Sequence, residues 1–334
     1  MLRGRILNKF IEFMRKTFVY TSHVDVYAWF PDGQVKEVSQ GDGIYYHPCI
    51  NPEGTHVVYH GGALGDKYRV WKADINTCDV VPLTPSDSAA WHPVFSWDGK
   101  KIVFSSDLLS GHPPARIKKS IFHGIVPKNH IVNLFIMDSE GGSVQKITTG
   151  PYQDQRPTFS PDGKHIAFVS NRSGPIRIWT VPADSSEEPR PVQEQGTGYR
   201  PWYSADGKWI FFFTWLPNRR RQIQKIPSAG GKALPLPYDD RGLSAAPFVD
   251  PGGECLLMHS NLSKYWSIYE FAFDGTPPRE LMPPGFSKAL HPTRSKNGII
   301  TFDVISSNWR FVGKKGRKIE TFLRRLVYYL KIDE

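Results

Sequence analysis

The chain has no long apolar run and few cysteines. No stretch approaches the ~20 consecutive apolar residues of a membrane-spanning helix, and charged residues interrupt the N-terminal apolar ones, so no signal-peptide core is evident. The three cysteines, Cys49, Cys78 and Cys255, have unrelated spacings. This spacing predicts buried small side chains rather than a disulfide framework or a metal cluster. We therefore expect a cytoplasmic protein.

Several motifs that define enzyme classes are also missing. The sequence contains no phosphate-binding P-loop, no dinucleotide fingerprint at a strand-to-helix turn and no paired-histidine helix of the H-E-x-x-H type. A G-x-S-x-G nucleophile elbow is absent as well. The sequence thus gives no support for a nucleotidase, a dehydrogenase, a zinc peptidase or a serine hydrolase.

What the chain does contain is a strand repeat. Each copy has a short strand that opens near a proline, a turn with a glycine, and an apolar returning strand. The prolines are separated by 45, 64, 44, 46 and 45 residues, and they are Pro48, Pro93, Pro157, Pro201, Pro247 and Pro292. One such unit cannot bury its own apolar face, so the repeat predicts propeller blades or solenoid coils.

One copy shows how the unit is built. Pro161-Asp162-Gly163 separates two strand-like runs, and glycine supplies the positive φ that a tight hairpin needs. The second run, Ile166–Val169, is apolar throughout, which suits a strand covered on both faces. A third strand and a more polar fourth strand follow, and four antiparallel strands per repeat indicate a propeller.

The two ends of the repeat region complement each other. The sixth copy supplies only two strands, at 291–295 and 299–304, whereas residues 24–38 resemble the third and fourth strands of the other copies. An N-terminal hairpin that completes the C-terminal blade would leave no free sheet edge. We therefore predict an all-β, six-bladed β-propeller over residues 24–307.

The net charge of +10 is concentrated in two tails. Residues 1–20 carry +4 and residues 310–334 carry +5, which leaves +1 on the propeller, so no nucleic-acid partner is expected there. Both tails place apolar residues at helical spacing beside basic ones, which predicts short basic amphipathic helices. Such helices can pack on the propeller, lie on an anionic membrane surface, or bind nucleic acid or a protein.

The residue before each repeat proline is the main candidate for function. The six residues are His47, His92, Arg156, Arg200, Ala246 and His291. Because the first strand of a blade is innermost, we expect them to surround one mouth of the central channel. Loops predicted at the same end carry His60, Arg172, Trp215 and His259, and an insertion between Asp107 and Asn133 carries His112, His123 and His130.

These residue types suggest a chemistry. Three imidazoles, from His47, His92 and His291, suit a divalent transition metal such as Mn, Zn, Fe or Ni. Arg156 and Arg200 suit a carboxylate. Together they predict β-elimination on a uronate-containing anionic oligosaccharide. Arg172 and Trp215 are candidate substrate contacts, and the candidate proton-abstracting residues are His112, His123, His130, His259 and Tyr46.

The repeat also carries a family resemblance. Pro157–Ser170, followed by Ser-Asn-Arg-Ser-Gly at 170–174, resembles the WD40-like repeat of TolB-type propellers. That group includes oligogalacturonate lyases, and this looser resemblance implies a manganese ion held by His47, His92 and His291, with Gln155 or Gln153 as a fourth ligand. It also implies Arg156 or Arg200 beside the substrate carboxylate. The same group includes scaffold proteins, so a non-catalytic propeller that binds a protein or peptide is the alternative.

Overall fold

The computed structural model describes residues 18–40, 43–63, 65–108, 130–217, 220–236, 245–263, 266–273 and 276–311. All regular elements in these ranges are strands, so the protein is an all-β propeller without a helix in its described part. Over the same residues, no helix has the length and apolar character that crossing a membrane would require.

Sixteen strands form four separate four-stranded antiparallel sheets. The first contains β7 (Ala90–Phe95), β8 (Lys101–Ser106), β9 (Asn133–Asp138) and β10 (Gln145–Lys146). The second contains β11 (Gln155–Phe159), β12 (His165–Ser170), β13 (Arg177–Pro182) and β14 (Arg190–Pro191). The third contains β15 (Tyr199–Tyr203), β16 (Trp209–Trp215), β17 (Arg221–Pro227) and β18 (Leu234–Pro235). The fourth contains β19 (Ala245–Val249), β20 (Cys255–Ser260), β21 (Ser267–Ala272) and β22 (Arg279–Leu281).

The other eight strands form one continuous sheet. Its members are β1 (Phe18–Trp29), β2 (Val35–Glu37), β3 (Ile44–Ile50), β4 (His56–Gly62), β5 (Arg69–Asp74), β6 (Val80–Pro82), β23 (Leu290–Arg294) and β24 (Ile300–Phe311). The prediction of six separate blades is therefore corrected to four four-stranded sheets and one eight-stranded sheet. The physical reason is a parallel contact between Val24 of β1 and Ile44 of β3, which joins two groups of four strands.

The eight-stranded sheet also shows how the repeat region closes. β1 is hydrogen-bonded to β24, and β2 pairs with β1, so the N-terminal hairpin extends the C-terminal strand pair. Val26 and Ile299, from opposite ends of the chain, share one buried apolar cluster with Ile50 and Tyr59. The hairpin is therefore held by side-chain packing as well as by backbone hydrogen bonds.

The predicted helical tails are not seen in the part of the chain that the structure describes. Residues 18–20 belong to β1 and residues 310–311 belong to β24, so these positions are strands. Residues 1–17 and 312–334 lie outside the described residues.

The second strands of the sheets form much of the core. The apolar positions of β8, β12 and β20 are buried along their length, as expected for strands covered on both faces. Phe104, Phe135, Phe159 and Phe168 belong to one cluster that draws on the first two sheets. This packing between neighbouring sheets provides the rigid support on which the inner strands present the candidate site.

Candidate functional site

The six residues before the repeat prolines share an unusual backbone conformation. Their φ angles are all positive, between 49° and 57°. The strand register shifts at the same place in each innermost strand, for example between Tyr46 and Cys49 and between Gln155 and Thr158. A β-bulge re-aims the side chain at the bulged position, so the repeat places the six equivalent side chains in equivalent orientations.

All six pre-proline residues line one cavity of about 80 Å³. The repeat prolines line it too, together with larger apolar groups such as Trp202 and Phe248. Ligand pockets for drug-sized molecules usually measure about 300–1,000 Å³. The cavity can therefore take water molecules, an ion or a single functional group, but it cannot enclose a sugar ring.

A group of buried imidazoles lies on one side of the cavity. Single ring nitrogens of His47, His60 and His92 all lie within 4.8 Å of one another. The ring of His47 is 4.9 Å from those of both His60 and His92, between centroids. Burial, followed by the nearby Arg200, holds the pKa of His47 well below its ordinary value. The imidazole of His47 is therefore neutral at pH 7 and has a nitrogen lone pair.

His291 takes part in a different network. The Nη2 of Arg200 donates to the Nε2 of His47 and, at 3.1 Å, to the Nε2 of His291. The Nδ1 of His291 lies 2.7 Å from the Oδ1 of Asp303, which also accepts the backbone N–H of His47 at 3.2 Å. Burial raises the pKa of Asp303 well above its ordinary value, and burial with the nearby Arg156 lowers the pKa of Arg200.

Two further candidates contact this network. The Nδ1 of His259 accepts the backbone N–H of His291 at 3.2 Å, just as the Nδ1 of His60 accepts that of His92 at 3.3 Å. Tyr46 is buried, and its ring lies 6.1 Å from those of His47 and His60. Burial, followed by the charge of Asp303, raises the pKa of Tyr46, so its phenol stays protonated at neutral pH.

Other predicted site residues lie outside the cavity lining. Arg172 forms a buried ion pair with Asp154 at 2.6 Å, and His130 pairs with Asp107 at 2.8 Å. Gln153 and Gln155 are partly exposed at the start of the second separate sheet, and neither is among the cavity-lining residues. Trp215 is 42% exposed at the end of β16. His112 and His123 lie outside the described residues.

Comparison with known proteins shows a similarity to TolB propellers. Residues 125–289 match the family model described as the TolB beta propeller domain. This part of the chain is similar to TolB β-propellers. It is 27% identical over 143 residues to a TolB homolog from Chlorobium chlorochromatii, an alignment that covers 36% of this chain and 32% of that protein. The TolB-like chain spans 29–44% of the length of three curated relatives that it matches.

Solved structures show the same TolB-like fold. A candidate TolB protein from Agrobacterium tumefaciens has a TM-score of 0.65 at 15% identity, covering 85% of this chain and 99% of that one. An oligogalacturonate lyase in complex with manganese has a TM-score of 0.55 at 13% identity, covering 88% and 87%. At these identities the likeness establishes the fold alone.

The TolB-like propeller offers donors that fit a divalent transition metal. His47, His60 and His92 supply three buried imidazoles, the ligand type that Zn, Mn and Fe share. His60 was predicted only as a loop residue of this face, and it belongs to this group, whereas the predicted ligand His291 is not among the three. The contact between Arg200 and the Nε2 of His47 would have to open for that nitrogen to bind an ion.

Proposed function

We propose that this propeller is a metal-dependent lyase that performs β-elimination on a uronate-containing oligosaccharide. The observation that supports it is the buried imidazole group of His47, His60 and His92 beside the guanidinium groups of Arg156 and Arg200. When bound, a divalent ion would supply Lewis-acid stabilisation of the negative charge that develops on the substrate carboxylate. His47, His60 and His92 would hold that ion, and Mn is the first candidate.

The size of the cavity determines how a substrate would bind. A cavity of about 80 Å³ admits a carboxylate but not the sugar ring that carries it. The oligosaccharide would therefore lie across the mouth, with its carboxylate pointing inwards toward the arginines. Trp215, exposed at the end of β16, is a candidate stacking surface for a sugar ring.

Hydrogen bonds in the structure reduce the number of candidates for the proton-abstracting residue. The phenol of Tyr46 is protonated at neutral pH, and the Nδ1 lone pair of His259 already accepts a backbone N–H. His130 has the arrangement of an oriented base, because its Nε2 lies 2.8 Å from Asp107. The Oδ1 of Asp107 accepts the N–H of Ala89, next to the strand that carries His92. We therefore rank His130 first among the described candidates.

Metal analysis tests the proposal directly. Protein purified without chelator is expected to hold about one divalent ion per chain. The variant His92→Ala should lose this ion, because it removes one of three ligands. His56→Ala is the matched control, since His56 is partly exposed and lies near Asp74.

An activity assay completes the test. Elimination creates an unsaturated uronate whose formation raises ultraviolet absorbance. We expect this rise with oligogalacturonate and wild-type protein, but not with His92→Ala. No bound metal together with no absorbance change on any uronate oligosaccharide would reject the lyase proposal.

A second function is favoured by the contact between Arg200 and two histidines. In this arrangement the protein's own guanidinium occupies the imidazole nitrogens of His47 and His291, which suits a structural centre in a non-catalytic propeller. Such a propeller would bind a protein or peptide at its mouth. Retention of the fold with no metal and no activity, together with capture of a defined peptide, would favour this second function.

A further inference from the structure

The five sheets can be compared at one equivalent position, the residue paired with the third residue of β4, β8, β12, β16 or β20. In the second four-stranded sheet it is Thr180, which pairs with Ala167 of β12. In the other sheets the side chain has an ion pair, an apolar cluster or an aromatic ring as its partner, and these residues are Lys72, Ile136, Lys225 and Glu270. The Oγ1 of Thr180 is buried and has no hydrogen-bond partner among the described residues. An unsatisfied buried hydroxyl calls for a physical explanation.

The residue that accompanies Thr180 at this interface also differs. Ile178 and Thr180 lie on one face of β13, because side chains two residues apart in a strand point to the same side. Ile178 packs in one buried cluster with Tyr203 of the third sheet, so this face is directed toward that sheet. Tyr203 ends β15 as Arg294 ends β23. Where one interface has the ion pair of Glu270 with Arg294 at 2.7 Å, the other has two side chains that end in hydroxyl groups.

A groove of about 400 Å³ lies between the second and third sheets at this place. Thr180 and Tyr203 line it, and they are only 2% and 3% exposed. This volume falls within the range of about 300–1,000 Å³ that is usual for ligand pockets. Among the described residues, none lines both this groove and the cavity of the pre-proline residues. The groove is therefore a separate candidate site.

The charges around the groove nearly cancel. Asp162 and Asp206 contribute two carboxylates, whereas Arg190 contributes a guanidinium, and the Nζ of Lys208 lies 3.8 Å from the Oδ2 of Asp206. Burial raises the pKa of Tyr203, so its phenol keeps the proton and can donate a hydrogen bond. Hydroxyl groups both donate and accept, while carboxylates only accept. This combination suits a neutral ligand with many hydroxyl groups better than it suits an ion.

The outer strands of the two sheets argue against a peptide ligand. β14 and β18 are the outermost strands, and each has only two residues. A peptide that binds by strand addition needs a longer edge of unpaired backbone groups. A sugar needs no such edge, because its hydroxyl groups bind side chains. The groove therefore favours a saccharide over a peptide.

We propose that the groove of Thr180 and Tyr203 binds a neutral sugar ring. A staggered rotation about the χ1 of Thr180 exchanges its methyl and hydroxyl branches, which presents the Oγ1 to the ligand. The bound sugar then supplies the hydrogen bond that this hydroxyl lacks. Asp162 and Asp206 accept hydrogen bonds from sugar hydroxyls at the rim. The site depends neither on the candidate metal ligands nor on the lyase proposal.

Ligand-observed saturation-transfer NMR tests the proposal with the full chain. Chelator-treated protein is titrated separately with the neutral hexoses glucose, galactose and mannose, so that no metal is required. A triglycine peptide with an acetylated N-terminus and an amidated C-terminus is the neutral peptide probe. We expect at least one of the hexoses to bind and the peptide not to bind.

Variants then assign binding to the groove. Thr180→Val and Tyr203→Phe each remove one hydroxyl and keep the shape of the side chain, so each should weaken hexose binding about fivefold or more. Thr158→Val is the matched control, because Thr158 has a buried, unpartnered Oγ1 in the same sheet but does not line the groove. It should bind hexose as wild type does.

Thermal unfolding separates a loss of binding from a loss of folding. The Oγ1 of Thr180 has no partner to lose within the described ranges, so Thr180→Val should melt at or above the wild-type temperature. If Tyr203→Phe does not fold, Thr180→Val alone decides.

Several results would overturn the assignment. These are no binding of any of the three hexoses, wild-type affinity in the folded Thr180→Val and Tyr203→Phe variants, an equal loss of affinity in Thr158→Val, or binding of the peptide in place of the hexoses. Failure of the lyase proposal looks different: hexose would still bind in a Thr180-dependent way, but no metal and no elimination would be found.

Discussion

The residue before each repeat proline has a conformation that L-amino acids avoid. A left-handed φ costs a residue with a side chain about 1–2 kcal/mol, and here it occurs six times, between 49° and 57°. At five positions the side chain is a histidine or an arginine that lines the cavity. The sixth, Ala246, has the same backbone without a polar group. Strain of this kind is typical of positions where side-chain direction matters.

Ala246 allows this strain to be measured. Glycine adopts positive φ without steric cost, so Ala246→Gly should remove the strain while increasing the freedom of the unfolded chain. Ala205→Gly is the control, because Ala205 is not among the residues with positive φ. We expect Ala246→Gly to be more stable than Ala205→Gly by about 1 kcal/mol, measured by urea unfolding. Equal destabilisation by the two changes would contradict the strain interpretation.

Sequence alone could predict the pre-proline positions but not all of their partners. The repeat marks His47, His92 and Arg156 as equivalent, because each precedes a proline at the same point of a copy. Asp303 lies in an apolar strand, and only the register that places it opposite Leu290 brings it near His291. Such pairings depend on strand register and side-chain direction, which a single sequence does not specify.

At the scale of the element, the turn after each innermost strand is a hydrogen-bonded unit. In the turn of Asp162, its Oδ1 accepts the hydroxyl of Ser160 at 2.6 Å and the N–H of Lys164 at 3.0 Å. Gly163 follows with a φ of 70°, the conformation that the sequence predicted for this glycine. The turns of Asp98 and Asp206 repeat the same contacts. These bonds explain why Ser-x-Asp-Gly recurs in the repeat.

The turn gives a pH-dependent prediction. The hydrogen bond from Ser160, together with that from the N–H of Lys164, lowers the pKa of Asp162 below its ordinary value and outweighs the opposing effect of burial. A lowered pKa stabilises the fold above the unfolded pKa of about 3.9, and this stabilisation is lost as pH falls through the native pKa. Asp162→Ala should therefore cost about 1 kcal/mol at pH 7, and its difference from wild type should shrink below about pH 4.

Melting temperatures across a pH series would measure this difference. Asp162→Asn is the control, because an amide oxygen can still accept both hydrogen bonds. Asn297 stands at the equivalent position of the last turn, next to Ser295. The asparagine variant should be close to wild type in stability at pH 7. A constant difference between wild type and Asp162→Ala at every pH would show that the carboxylate charge is not involved.

At the scale of the whole molecule, the eight-stranded sheet is the part of the fold that differs most from the prediction. The sequence indicated that an N-terminal hairpin would complete the C-terminal strands, and β1 does pair with β24. The contact between Val24 and Ile44 then merges this group with the next. Repeat spacing cannot reveal such a contact, because it depends on the lateral pairing of β1 with β3 rather than on the distance between copies along the chain.

A charged residue placed in β1 tests how much the eight-stranded sheet contributes to the stability of the fold. Val26 is fully buried in β1, between residues from both ends of the repeat region. Val26→Asp would bury a carboxylate without a partner, so we expect a loss of about 3 kcal/mol or more in the free energy of unfolding. Val81→Asp is the control, since Val81 is 47% exposed in β6, and it should change stability by about 0.5 kcal/mol at most. Similar losses of unfolding free energy in both variants would show that the packing of β1 is not critical for the stability of the fold.

The pairing of β1 with β24 also bears on biosynthesis. The hairpin formed by β1 and β2 leaves the ribosome well before its partners β23 and β24. At ~5–20 residues per second the early hairpin waits for tens of seconds with an unpaired edge. Nascent chains are therefore exposed to wrong strand partners until β23 and β24 have been translated, and premature termination before β23 would leave that edge permanently open.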